Sequence, residues 1–224
     1  AFYREKTLLP DFERLHQKTS REQAQQDRKD IKHFWVNFLL AKSLTEQQSV
    51  YNIRKSDLNL PQTLSQLDYF FLAANLESAC VLLDHHVPFA AKGALRTIKM
   101  LQPLLAEGYC RDEPLIDLLY RTYRLLIEEV SLSEYYELRK IFDQNAMQIG
   151  FDQRQMIYGI LRNFSTKKLN EGAEEFLEPL FNLYQQGLLQ GVMTAQGGLL
   201  PQSFQSIVTL GLRLKKFSWV ENFL

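Results

Sequence analysis

The sequence predicts an all-α protein, a right-handed array of antiparallel helical hairpins. Three observations carry that reading. Sustained two-residue alternation is missing, and no Asn-Gly or Asp-Gly pair separates two apolar runs, so no segment reads as a strand. Helix start and stop signals are frequent instead. Residues 114–130, finally, form a helix that is apolar almost all round: Leu115, Ile116, Leu118, Leu119, Tyr120, Tyr123, Leu125, Leu126, Ile127 and Val130 leave polar side chains mainly at Asp117, Arg121, Arg124 and Glu128. Spacings of four, three and four put those polar residues in one narrow stripe. A helix wetted along a single stripe needs a neighbour on each flank, which places it inside a stack.

The elements follow in order. Residues 1–19 read as loop with a short helix, and helices are expected at 21–43, 45–56, 61–87 and 92–107. Gly108 closes the last of these, and Asp112 with Pro114 opens the helix at 114–130. Ser131 and Glu134 have capping-box spacing ahead of a helix at 133–149. Gly150 ends that helix and Asp152 caps the next, 153–169. Gly187 and Gly191 close a helix at 172–189. Residues 191–201, with Gly197-Gly198 at their centre, are the clearest loop; Pro201 then opens 202–214, and a last helix starts at 217. Pro103 and Pro179 each lack a backbone donor and are expected to kink or split their helices, at roughly 3 kcal/mol if mid-helix.

Paired helices recur at 114–149, 153–189 and 202–224, a spacing typical of helical-hairpin arrays. Met156, Ile157, Ile160, Leu161 and Phe164 share one face, and Phe176, Leu177, Leu180, Phe181, Tyr184 and Leu188 share another. In 202–214 the face is Phe204, Ile207, Val208 and Gly211, where the glycine lets a neighbouring helix come close. On these residues, 114–224 resemble the tetratricopeptide-like superfamily of helical hairpins, an alpha-solenoid fold, in a divergent form. The chain is also similar to bacterial helical-repeat proteins of uncharacterised function. Arg162 beside Asn163 stands where that superfamily favours a small residue. Residues 1–112 read as an N-terminal helical region and 113–224 as the hairpin repeats, together one continuous superhelical domain.

Composition narrows the function classes. Apolar content of 46% supports a folded protein, and 15 Phe, 10 Tyr and 2 Trp suit helix–helix seams. The 26 basic residues balance 26 acidic ones, and neither half carries a large excess, so nothing signals a nucleic-acid backbone as partner. Cys80 and Cys110 have no metal-type spacing and read as reduced, buried residues, which favours a cytoplasmic location. No apolar run reaches the roughly 18–20 residues needed to span a bilayer. The start at Ala1 and the apolar end formed by Phe217, Trp219, Val220, Phe223 and Leu224 read as marks of a fragment, and that end is the expected handle for any oligomer.

Catalytic signatures are sparse. Asp84-His85-His86 looks like the signature triplet of a phosphoesterase family that binds two manganese ions. In that family the triplet follows a strand and has aspartate partners; here it ends a helical run, where histidines suit the negative dipole end. Gly197-Gly198 alone makes no phosphate loop, and His16 and His33 lie in a polar region where solvated roles are expected. No enzyme, metal or cofactor is therefore expected. In a hairpin array the first helix of each pair commonly lines a concave surface, which makes Arg121, Arg124, Asn163, Lys167 and Arg213 the peptide-binding candidates. The expected function is a non-enzymatic scaffold for a protein or peptide. RNA binding is the alternative, with a phosphoesterase around Asp84, His85 and His86 behind it.

Overall fold

The computed structural model describes residues 9–26, 28–50, 59–85, 95–195 and 198–224. The protein is all-α. Among the described residues it forms α1 (Leu9–Ala24), α2 (Ile31–Val50), α3 (Leu60–Asp84), α4 (Arg96–Ala106), α5 (Pro114–Ile127), α6 (Leu132–Asn145), α7 (Phe151–Asn170), α8 (Leu177–Leu189), α9 (Pro201–Arg213) and α10 (Phe217–Phe223). The chain splits into two compact units: Ala1–Arg124 with Val130–Gly150, and Leu125–Glu129 with Phe151–Leu224.

In the first unit, the N-terminal reading needs correcting. Helix α1 covers most of what reads as loop, and the break falls at 25–30 rather than at 20 and 44. Asp30 sets the start of α2: its carboxylate accepts the His33 backbone N–H at 2.7 Å, supplying a cap that sequence inspection overlooked. Ser43 and Thr45 do not end the helix, because their hydroxyls donate back to the Leu40 and Ala41 carbonyls at 2.8 and 3.1 Å. The linker is pinned from both sides. Lys29 N–H donates to the Gln148 carbonyl at 2.7 Å, and Gly150 N–H donates to the Lys29 carbonyl at 3.0 Å. The Lys29 ammonium also pairs with Glu113 at 2.9 Å.

His33, expected to be solvated, is only 8% exposed. Burial and the nearby Lys29 charge hold its pKa below the usual imidazole value, against the opposing pull of Glu113 and Asp30. A folded state that prefers neutral imidazole is stabilised fully above the unfolded pKa, about 6.5, and loses that stability as pH falls through it towards the lower folded value. We predict that the melting temperature drops between pH 7.5 and 5.5, and that His33→Gln flattens this part of the profile. An unchanged slope in the variant would assign the acid sensitivity to another group.

Helix α2 packs along α3, and Phe34 and Ala41 of the first and Leu72, Leu76 and Cys80 of the second are buried. Helix α4 also packs on α3; it runs unbroken through Pro103, so no split occurs there. Leu115, Ile116, Leu118, Leu119 and Tyr123 on α5 are at most 1% exposed, as a helix covered on both flanks requires. One neighbour is α3, where the Cys80 thiol donates to the Leu119 carbonyl at 3.7 Å and burial pushes its pKa up. Another is α6, which begins with the expected capping box: Ser131 Oγ accepts from Glu134 N–H, and Glu134 accepts from Ser131 N–H. Cys110 differs from its expected burial. It is half-buried in the α4–α5 turn with φ +57°, and both cysteines are free thiols.

In the second unit, α7 packs on α8, α8 on α9, and α9 on α10. Gly187 does not close α8 but lies inside it, and the ring of Tyr158 on α7 occupies the space a side chain would take. Gly191, with φ +66°, follows the helix. Pro179 falls in the first turn of α8, where its missing N–H costs nothing, and a short 3₁₀ turn at Glu174–Phe176 precedes it. Asp152 lies in the first turn of α7 instead of capping it. The 191–201 loop contains a small hairpin that sequence inspection did not expect, pairing Thr194 with Leu199 and Ala195 with Gly198. Gly211 meets Val220 and Phe181, as the seam glycine should. The apolar end folds back on this seam: Trp219 packs edge-on against Phe181, and Phe223 stacks between Trp219 and Phe204. Phe217 and Leu224 stay exposed at 56% and 76%.

Candidate functional site

The second unit contains a groove of about 570 Å³, within the usual range for ligand clefts. The α7 face presents Arg162, Asn163, Thr166, Lys167 and Asn170 to it, positions that recur on one helical face, and Glu171 just beyond the helix adds one carboxylate to the lining. Helix α9 presents Gln202, Ser203 and Ser206, the same one-plus-four spacing, and Tyr184 of α8 contributes to the lining. The opposite face of α7, with buried Ile157, Ile160 and Leu161, is packed. The apolar stripe thus fixes which residues are left to line the groove.

The lining is polar and slightly cationic. Arg162 Nη2 donates to Asn163 Oδ1 at 3.3 Å, and Thr166 Oγ1 donates to the Arg162 carbonyl at 2.8 Å. Lys167 is 72% exposed and reaches Glu171 only at 3.9 Å, a separation worth little in water. No side chain caps the N-terminus of α9, so its first N–H groups and the positive end of its dipole lie at the groove edge beside Gln202 and Ser203. Among the described residues the lining has no imidazole and no thiol.

The five sequence candidates divide. Asn163 and Lys167 share the groove. Arg213, also in the second unit, is not part of its lining; its Nη2 donates to both Glu174 carboxylate oxygens at 2.9 Å. Arg121 and Arg124 belong to the first unit and are held by carboxylates. Arg121 pairs with Asp117 at 2.8 Å and Glu137 at 3.1 Å, and Arg124 with Glu134 at 3.4 Å. Asp117 also takes Arg111 at 2.5 Å, whose guanidinium lies over the Tyr120 ring. The stripe on α5 is therefore the site of an ion network that ties α5 to α6. Hydrogen bonds from the Ser131 backbone and hydroxyl, with Arg124 a smaller influence, hold the Glu134 carboxyl below its ordinary pKa.

Sequence inspection missed Arg162, Gln202, Ser203 and Ser206. The available signal was their spacing opposite the apolar face of each helix. Asp84 ends α3 and His85 follows it as an exposed cap residue, while His86 lies outside the described residues. Among the described residues no group of three or more His, Cys, Asp or Glu side chains is placed to hold a metal ion, and no helix is long and apolar enough to cross a membrane. No protein-family model, curated protein or solved structure matches the chain.

Proposed function

We propose that this protein is a non-enzymatic scaffold of the helical-repeat type that captures an extended, acidic segment of a partner protein in the α7–α9 groove. The observation that carries the reading is the pairing of Arg162 and Lys167 on α7 with the uncapped start of α9 across one cleft. Carboxylates suit the cations and the helix dipole. Asn163, Asn170, Gln202 and Ser206 offer both donors and acceptors, which an extended backbone can use without a fixed side-chain sequence. Paired helices stacked through Gly187 and Gly211 fit a hairpin array with first helices on the binding side.

The test is fluorescence anisotropy with a short labelled peptide of Glu, Asp and Ser, run at low and at physiological salt. Saturable binding that weakens with salt is expected, and Lys167→Glu should reduce affinity about tenfold, equivalent to about 1.4 kcal/mol. Circular dichroism should show the variant folded, because the side chain is exposed. Equal affinity in the variant would remove the groove from the interaction. Preferential binding of a single-stranded RNA of matched charge would replace the peptide reading with nucleic-acid recognition.

A further inference from the structure

We infer that the first unit has a second, separate binding site, a pocket for one neutral polyol of monosaccharide size. The pocket lies between α1, the 25–30 linker, α2 and the start of α3, with a volume of about 320 Å³. That is the small end of ligand sites, room for a single sugar ring rather than a chain.

Its chemistry is set by uncharged amides. Gln23, Gln26, Asn37, Asn59, Gln62 and Gln66 all line it, and no carboxylate does among the described residues. Each primary amide offers two donors and an acceptor, the complement of a hydroxyl, which both donates and accepts. Among the described lining residues the one Lys or Arg, Lys29, is already committed to Glu113 at 2.9 and 3.1 Å. Among the described residues an anionic ligand would find no uncommitted Lys or Arg, and a cationic ligand no carboxylate. Among the described residues no Phe, Tyr or Trp lines the cavity, and its two imidazoles, His16 and His33, are held by hydrogen bonds at their ring edges, which disfavours a flat base that needs a broad stacking platform. Leu40, Ala41 and Leu44 form an apolar strip along α2, suited to the C–H face of a pyranose.

The polar groups are also held in place. Gln26 Oε1 accepts from His33 Nδ1–H at 3.1 Å, and Asn37 Nδ2 donates to His33 Nε2 at 2.8 Å, which makes His33 a neutral, oriented bridge. His16 Nε2 donates to the Leu40 carbonyl at 3.0 Å. One atom breaks the pattern. Gln23 Oε1 is buried and meets no donor among the described residues, although Gln23 lines the pocket. A buried acceptor without a donor destabilises the free protein, and a ligand hydroxyl would satisfy it.

Gln23→Leu therefore has two expected effects of opposite sign: the ligand-free protein melts higher, and sugar binding falls at least tenfold. The experiment is calorimetric titration with glucose, galactose, mannose, N-acetylglucosamine and myo-inositol, with adenine and glutamate as base and charged probes. Methyl glycosides of the same sugars distinguish a free sugar from a glycan end, since only the latter tolerates substitution at the anomeric oxygen. The proposal expects millimolar or tighter binding of at least one neutral probe, lost in Gln23→Leu and weakened in Gln62→Ala, a change at an exposed side chain that leaves the fold intact. It is overturned if no neutral probe binds, if adenine or glutamate binds best, or if Gln23→Leu binds as the wild type does. None of these outcomes bears on the α7–α9 groove, which Lys167→Glu reports separately.

Discussion

Leu119→Ala is expected to destabilise the protein by about 2–5 kcal/mol, the range for deleting a fully buried leucine side chain. Leu119 is 0% exposed and sits midway along α5, with Leu115, Ile116, Leu118 and Tyr123 buried around it. Its carbonyl also receives the Cys80 thiol from α3. Truncation leaves a cavity between elements that the ion network of Asp117, Arg121 and Glu137 holds in register, so the walls have little freedom to collapse into it. Ile127, on the same helix but 39% exposed, provides the contrast: its alanine variant should cost under about 1 kcal/mol. Urea denaturation of both variants with an unchanged slope checks the pair. Equal losses would mean that α5 is not covered on both flanks.

The second large effect is Gly187→Ala. In a helix interior alanine is ordinarily favoured over glycine by about 1 kcal/mol. At Gly187 a Cβ would stand 2.4 Å from the ring of Tyr158, a residue only 3% exposed. Overpacking of this kind costs about 1–3 kcal/mol or more, enough to reverse the intrinsic gain. Gly159, one residue from Tyr158 in α7, meets nothing within 4 Å, so Gly159→Ala should be stabilising by about 0.5–1 kcal/mol. The two substitutions are chemically identical and predicted to have opposite signs. Thermal melts of the two variants side by side decide the matter, and a destabilised Gly159→Ala would contradict the packing of α7 described above.

Much of the fold was legible in the sequence because apolar periodicity and caps report local physics. The Ser131–Glu134 box and the all-round burial of α5 were visible as spacing, and Gly211 was visible as a small residue on an apolar face. The failures have physical causes too. Gly187 resembles a helix terminator because glycine serves helix ends and close approaches alike, and only the position of Tyr158 tells which. Asp30 caps α2 directly ahead of Ile31, Phe34 and Trp35, but the polar run before it reads as the same helix, so the end of α1 and most of α2 merged into one segment. Ser43 and Thr45 read as a break until their hydroxyls are seen bonded to the preceding turn. Site residues were harder still. Asn163 and Lys167 could be chosen from a helix face, whereas Arg121, Arg124 and Arg213 look identical in sequence to free cations and differ only in the carboxylates that fold beside them. Gln23, Gln26, His33, Asn37 and Gln62 gather from three helices and a linker, a grouping no local pattern encodes.

Whether the α7–α9 groove binds an acidic protein segment is decided by mapping amide chemical shifts of the labelled protein during titration with the Glu, Asp and Ser peptide. The amides expected to shift are those of residues 162–171 and of 202–206, where the first N–H groups of α9 lie at the groove, while α5 and its ion network stay unchanged. Perturbations confined to residues outside the groove, or spread evenly over exposed lysines and arginines, would contradict it.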